Sequence, residues 1–186
     1  MNTKKSFSLF LCIVSIVLFT SCDKIKEVSV SRQKSVKIEV ETVVNEGGTS
    51  SSPSLRASED NTFSGNVNIN LSDILGSSDF DLSEISAVSV VNVSLKTSCA
   101  EKGDYYIKNI QLNSTGTSAS ISSIALGESV SNNSSINSFF QTVLTNLING
   151  KTVPISVSGA TNLNPPGTKI VYTFEIDAKW SVRVFD

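Results

Sequence analysis

Apolar residues alternate with polar ones along most of this chain, the period-two signature of half-buried strands. Val36, Ile38, Val40, Thr42 and Val44 face one way, against Lys37, Glu39, Glu41 and Val43. Phe63, Gly65, Val67, Ile69 and Leu71 repeat the pattern, with Thr62, Ser64, Asn66, Asn68 and Asn70 opposite. From Ile85 to Lys96 the phase slips at Val90-Val91, which predicts a bulge or a strand buried on both faces. Tyr105–Leu112 predicts a strand with Tyr106, Ile110 and Leu112 inward, and Ala119, Ile121, Ile124 and Leu126 a serine-rich strand with a second slip. Val153, Ile155 and Val157 predict another, where Pro154 indicates an edge position or a strand start. The longest run is the last: Ile170, Tyr172, Phe174, Ile176, Ala178, Trp180, Val182 and Val184 alternate without a break. A strand of that length exceeds the usual size, so a bend near Asp177–Lys179 or two consecutive strands is expected.

One segment has a different period. Within Ser131–Gly150, Ile136, Phe139, Phe140, Val143, Leu144, Leu147 and Ile148 form a helical stripe, with Ser134 or Ser135 to cap it and Gly150 to end it. The helix lacks the basic face of a membrane-surface helix, so burial against the sheet is expected. Ser72–Gly76 and Ser78–Glu84 predict short helical turns, and Asn113–Thr117 and Asn162–Gly167 tight turns. These elements predict a mainly β fold, an antiparallel β-sandwich of immunoglobulin-like build with one amphipathic helix; the alternative is a small β-barrel with a plugging helix.

The N-terminus breaks the alternation. Lys4 and Lys5 precede an uncharged apolar run, Phe7–Phe19, which is too short to span a bilayer comfortably, and Thr20-Ser21 lead into Cys22. This layout resembles the signal peptide and lipobox of bacterial lipoproteins, of the Bacteroidota type, although Phe19 stands where that family favours Leu. The resemblance implies cleavage before Cys22, lipidation of its thiol and a palmitate-bearing membrane anchor. It also implies a place in the cell envelope, at the outer membrane, with the periplasmic or surface face left open. The organisation expected is a signal peptide at 1–21, a lipidated cysteine and tether at 22–34, and a single β-rich domain at 35–186 with a mobile loop at 46–61.

Composition narrows the chemistry. Removing Lys4 and Lys5 leaves 13 basic against 17 acidic residues, a net charge of −4 with no basic run, which argues against nucleic acid and against polybasic attraction to lipid. The chain has no histidine, so serine–histidine–aspartate and cysteine–histidine catalysis and histidine-ligated zinc are excluded. Cys99 is left as a lone thiol once Cys12 and Cys22 are accounted for; Lys96 and Lys102 would lower its pKa, but an unpaired cysteine at a strand end is the simpler reading. Asp79, Asp81 and Glu84 are spaced somewhat like calcium ligands, yet Phe80 and Leu82 interleave and helix capping explains them better. Trp180 falls in the core phase rather than on a sugar-stacking face. No catalytic, cofactor or metal residues are expected, and Cys22 is the one modified position. The function expected is a non-enzymatic binding or structural module of the envelope, with a protein or glycan partner; the alternative is a carrier of a small apolar ligand between sheet and helix.

Overall fold

The computed structural model describes residues 28–46, 60–76 and 81–184. Among these the chain forms eight strands: β1 (Val28–Asn45), β2 (Asn61–Ile69), β3 (Ile85–Cys99), β4 (Tyr106–Ser114), β5 (Thr117–Ala125), β6 (Ser129–Ser131), β7 (Val153–Thr161) and β8 (Lys169–Val184). Two α-helices, α1 (Leu71–Leu75) and α2 (Ser134–Ile148), and a 3₁₀ turn at Leu82–Glu84 join them. The fold is mainly β, and all strands belong to one antiparallel sheet in the order β5-β4-β7-β2-β1-β8-β3-β6.

The sheet has two parts joined at a corner. β1 pairs with β8 from Val28↔Val184 to Val43↔Lys169, but with β2 only at Val43↔Ser64, Val44↔Phe63 and Asn45↔Thr62. Beyond the corner β2 pairs with β7 alone, down to Ile69↔Val153. Gly65 sits at the divergence, where a Cβ would lie 2.0 Å from the Glu41 carbonyl oxygen and 2.8 Å from Thr42 Cα. Only a residue without a side chain lets the two backbones pass this closely.

Helix α2 closes the structure. Ile136, Phe139, Phe140, Val143, Leu144 and Leu147 are fully buried, and each such side chain contributes about 1.5–3 kcal/mol by leaving water. Phe139 meets Phe140 edge-on at 5.1 Å, and Phe140 lies 4.9 Å from Phe174 of β8. The helix packs chiefly on β3 and also on β5, near opposite ends of the strand order. The sheet therefore curls until both ends meet the same helix, which fits the alternative expectation of a barrel plugged by a helix.

The helix also protects an edge. β6 covers β3 only from Ser94 to Lys96. Below it, Gln141 Oε1 accepts from the Val90 amide (2.8 Å) and Gln141 Nε2 donates to the Val88 carbonyl (2.9 Å), while Asn137 Oδ1 accepts from the Val93 amide (3.0 Å). These side chains take the place of a neighbouring strand, which satisfies backbone groups that otherwise invite pairing with another chain.

Several expectations hold. Every inward position of β8 from Ile170 to Val182 is buried, Trp180 fully so, with its Nε1 donating to the Lys34 carbonyl (3.2 Å). The slip at Val90-Val91 is a bulge, with the β3–β8 register shifting between Val90 and Asn92 and Val91 turned to solvent. Gly76 follows α1, and the Gly150 amide donates to the Leu147 carbonyl after α2.

Others are corrected. β8 is one continuous strand; the irregularity near Asp177 lies on its neighbour β3, opposite Asp177 and Ala178. Tyr106 is not inward: Ile107 and Ile110 are both buried, because Asn109 takes a left-handed conformation (φ 50°) and β4 shifts register against β7 between Lys108 and Gln111. Asn133, not Ser134 or Ser135, caps α2, its Oδ1 accepting from the Ser135 and Ile136 amides. Pro154 lies near the start of β7, an inner strand between β4 and β2, so the edge option is the wrong one. β1 begins at Val28, inside the stretch read as tether. Residues 22–27 of that stretch, and 47–59 of the expected mobile loop, lie outside the described residues.

Candidate functional site

The outer face of the sheet carries an open cleft of about 650 Å³, where the top of β1, the start of β8 and the end of β3 meet. The Asn162–Thr168 turn forms one wall. It contains a cis Asn164–Pro165 bond and reverses at Gly167, whose φ of 89° suits glycine. Two backbone bonds fix the turn to β1: Gly167 N–H to the Val44 carbonyl (2.7 Å) and Val44 N–H to the Thr168 carbonyl (2.9 Å). Pro165, Pro166, Val171 and Ala100 supply apolar lining, and Glu41, Lys169 and Glu101 supply charge. Glu41 Oε1 and Lys169 Nζ form an exposed ion pair at 2.8 Å.

Cys99 lies in this cleft, half-buried, its Sγ donating to the Glu101 carbonyl (3.3 Å). Burial raises the thiol pKa above its ordinary value. This reverses the expectation from Lys96 and Lys102: desolvation of the thiolate is the largest cause, the Glu101 carboxylate adds to it, and neither lysine acts on the thiol. The cleft thus holds a thiol whose ionisation burial opposes beside an exposed acid–base pair, groups that can hydrogen-bond and make apolar contact.

A second polar cluster, which sequence reasoning missed, joins distant segments. Asp60 Oδ1 accepts from the Tyr106 hydroxyl (3.0 Å), and Asp60 Oδ2 pairs with Lys108 Nζ at 3.1 Å, the ammonium lying 4.2 Å from the Tyr106 ring centre. Hydrogen bonding to Asp60 holds the Lys108 pKa above its ordinary value. The signal available in the sequence was the spacing of Ile107 and Ile110, which turns Tyr106 outward.

The interior contains a further polar feature. Thr42, Thr97 and Thr161 are buried with their hydroxyls bonded: Thr42 to the Ile170 carbonyl (3.2 Å), Thr97 from the Gly127 amide (3.3 Å) and Thr161 to the Tyr106 carbonyl (2.8 Å). The Tyr172 hydroxyl, equally buried, has no hydrogen-bond partner among the described residues, and burial drives its pKa well upward. Its ring stacks on Phe63 at 5.6 Å.

The other candidate residues are dispersed. Cys22 and Asp79 lie outside the described residues. Asp81 caps the 3₁₀ turn, accepting from the Ser83 amide (2.9 Å), which keeps its pKa below the usual carboxylate value. Among the described residues, no three acidic or cysteine side chains gather so as to hold a metal ion, and no helix is long and apolar enough to cross a membrane. No family model, curated protein or solved structure matches the chain.

Proposed function

We propose that this chain is a lipid-anchored lipoprotein of the cell envelope, held at the outer membrane by acylated Cys22, and that its mature part is a non-enzymatic binding or structural module. The observation that carries the reading is the order Lys4-Lys5, an apolar run, Thr20-Ser21 and Cys22. The burial that opposes ionisation of the Cys99 thiol and the absence of histidine support a role in binding rather than catalysis. We read the curled sheet as a barrel-like shell, because every strand joins one ladder and both ends reach α2. An envelope protein or a glycan is the partner class. Globomycin treatment leaves an unprocessed precursor, and Cys22→Ala abolishes palmitate labelling. A wild-type protein that takes up no palmitate ends the reading.

One observation favours the carrier reading. An apolar ligand with a single acceptor atom would satisfy the Tyr172 hydroxyl inside the shell. Mass spectrometry of organic extracts of the purified protein tests it: a stoichiometric small molecule that disappears in Tyr172→Phe supports a carrier, and a clean extract removes it.

A further inference from the structure

We infer that the open edge of β1 pairs with the same edge of a second copy of this chain, in an antiparallel contact about a two-fold axis at Ser35. The direction of the main-chain groups along β1 locates the edge. Val44 makes both of its main-chain bonds with the Gly167–Thr168 turn, on the side of β8, whereas the Glu41 carbonyl faces Gly65 of β2. Successive residues of a strand turn these groups to opposite sides, so the even-numbered residues of β1 bond to β8 and the odd-numbered ones address the side of β2. From Val43 to Asn45 that side is filled by β2, which pairs with β1 there and not below. From Ser31 to Glu39 the odd-numbered residues have no main-chain partner on that side among the described residues, and all five are exposed.

A long open edge is a template for another strand, and folded proteins guard against this. Here the edge of β3 is guarded by β6, Gln141 and Asn137. Between Ser31 and Glu39, β1 has none of the usual guards. It carries no proline and no bulge against β8, and the charges of Lys37 and Glu39 are held to each other at 2.7 Å. The pattern along the edge suits its own copy. With Ser35 opposite Ser35 of the second copy, Lys37 meets Gln33 and Glu39 meets Ser31. The charged half of each strand then lies against the neutral half of the other, and no like charges face each other. The corner selects the same register. Gly65 closes the edge at Glu41, so a second strand shifted further toward the corner would run into β2. The contact is isologous and carries the sheet of one copy into that of the other. It rests on main-chain bonds and not on the lipidation of Cys22.

The test is sedimentation equilibrium of the full chain in a density-matched detergent, and the expected result is a reversible dimer. Ser35→Pro removes an N–H that points to the open edge and none that bonds to β8, so it should abolish the dimer and leave the circular dichroism spectrum unchanged. Ser31→Lys, set against Glu39 of the second copy, should tighten the dimer, and Ser31→Glu, set against the same residue, should loosen it. Each shift in Kd should be about 2- to 30-fold for two symmetric contacts. Within one copy the neighbour of Ser31 on β8 is Ser181, which is uncharged. A wild-type chain that stays monomeric overturns the inference, and so does a dimer that survives in folded Ser35→Pro. A dimer that responds alike to Ser31→Lys and Ser31→Glu overturns it as well, and that comparison decides the matter if Ser35→Pro does not fold.

Discussion

The two parts of the sheet on either side of the β1–β2 corner are built differently. From Val36 to Val44 in β1 and from Ile170 to Val182 in β8 the alternation runs unbroken, and the outer face carries Lys37, Glu39, Glu41, Lys169, Glu175, Asp177, Lys179 and Arg183. Across the corner, β2, β7, β4 and β5 turn outward Thr62, Ser64, Asn66, Asn68, Ser156, Gln111, Asn113, Ser118 and Ser120, and Lys108, paired with Asp60, is the charged residue of that face. The inward phase differs as well. β4 and β5 change phase together, Ile107 facing Ile124 and Ile110 facing Ile121 with two outward-leaning residues between each pair. The change of phase falls where Asn109 takes a left-handed conformation and β4 shifts register against β7 between Lys108 and Gln111. Slips also occur in β3 beside the regular β8, and β2 keeps its alternation through the corner. The lesson is that a slip reports a local irregularity of the ladder, whereas the corner depends on a close approach of two backbones that leaves the alternation intact.

The largest expected effect tests the regular part. Trp180→Ala empties a fully buried site and should cost about 3–5 kcal/mol, enough to unfold a domain of ordinary stability; a thermal melt reads it, and an unchanged midpoint would mean that the inward face of β8 is misassigned. Next comes the corner. Gly65→Ala places a Cβ against the Glu41 carbonyl, backbone that has nowhere to move, so a loss of at least about 1–3 kcal/mol is expected. A Gly65→Ala protein with the wild-type urea midpoint would show that β1 and β2 do not cross as described. Asn133→Ala removes the cap of the helix that both parts share and should cost about 1 kcal/mol, measurable by chemical denaturation.

Tyr172→Phe carries the opposite sign. It deletes a buried hydroxyl that has no partner among the described residues, so stability should be unchanged or higher by up to about 1 kcal/mol. A clear loss in the same melt would reveal a bonded hydroxyl, such as one held by buried water. The smallest effects belong to the outer faces: Lys179→Ala on the charged part and Ser120→Ala on the uncharged part should each change stability by less than about 0.5 kcal/mol. A larger change at Ser120 than at Lys179 would overturn the view that both faces are solvated surface.

Much of the fold was legible in the sequence. Nearest-neighbour physics set the inward face of β8, the buried stripe of α2, the bulge at Val91 and the turns at Gly116 and Gly167, because side-chain period and backbone preference act over a few residues. The candidate sites were less so. The cleft joins Glu41, Cys99 and Pro165–Lys169, and the polar cluster joins Asp60 to Tyr106 and Lys108, across separations that no local pattern encodes.

The sequence by itself determined that the chain is strand-forming with one amphipathic helix and that histidine chemistry is absent. The tertiary structure alone decided the strand order, the tight crossing at Gly65, the use of Gln141 and Asn137 in place of a strand beside β3, and the raised pKa of Cys99. The physical reason is range. Periodicity is written residue by residue, whereas a backbone contact, a capped edge or the desolvation of a thiol depends on which distant segments arrive at the same place.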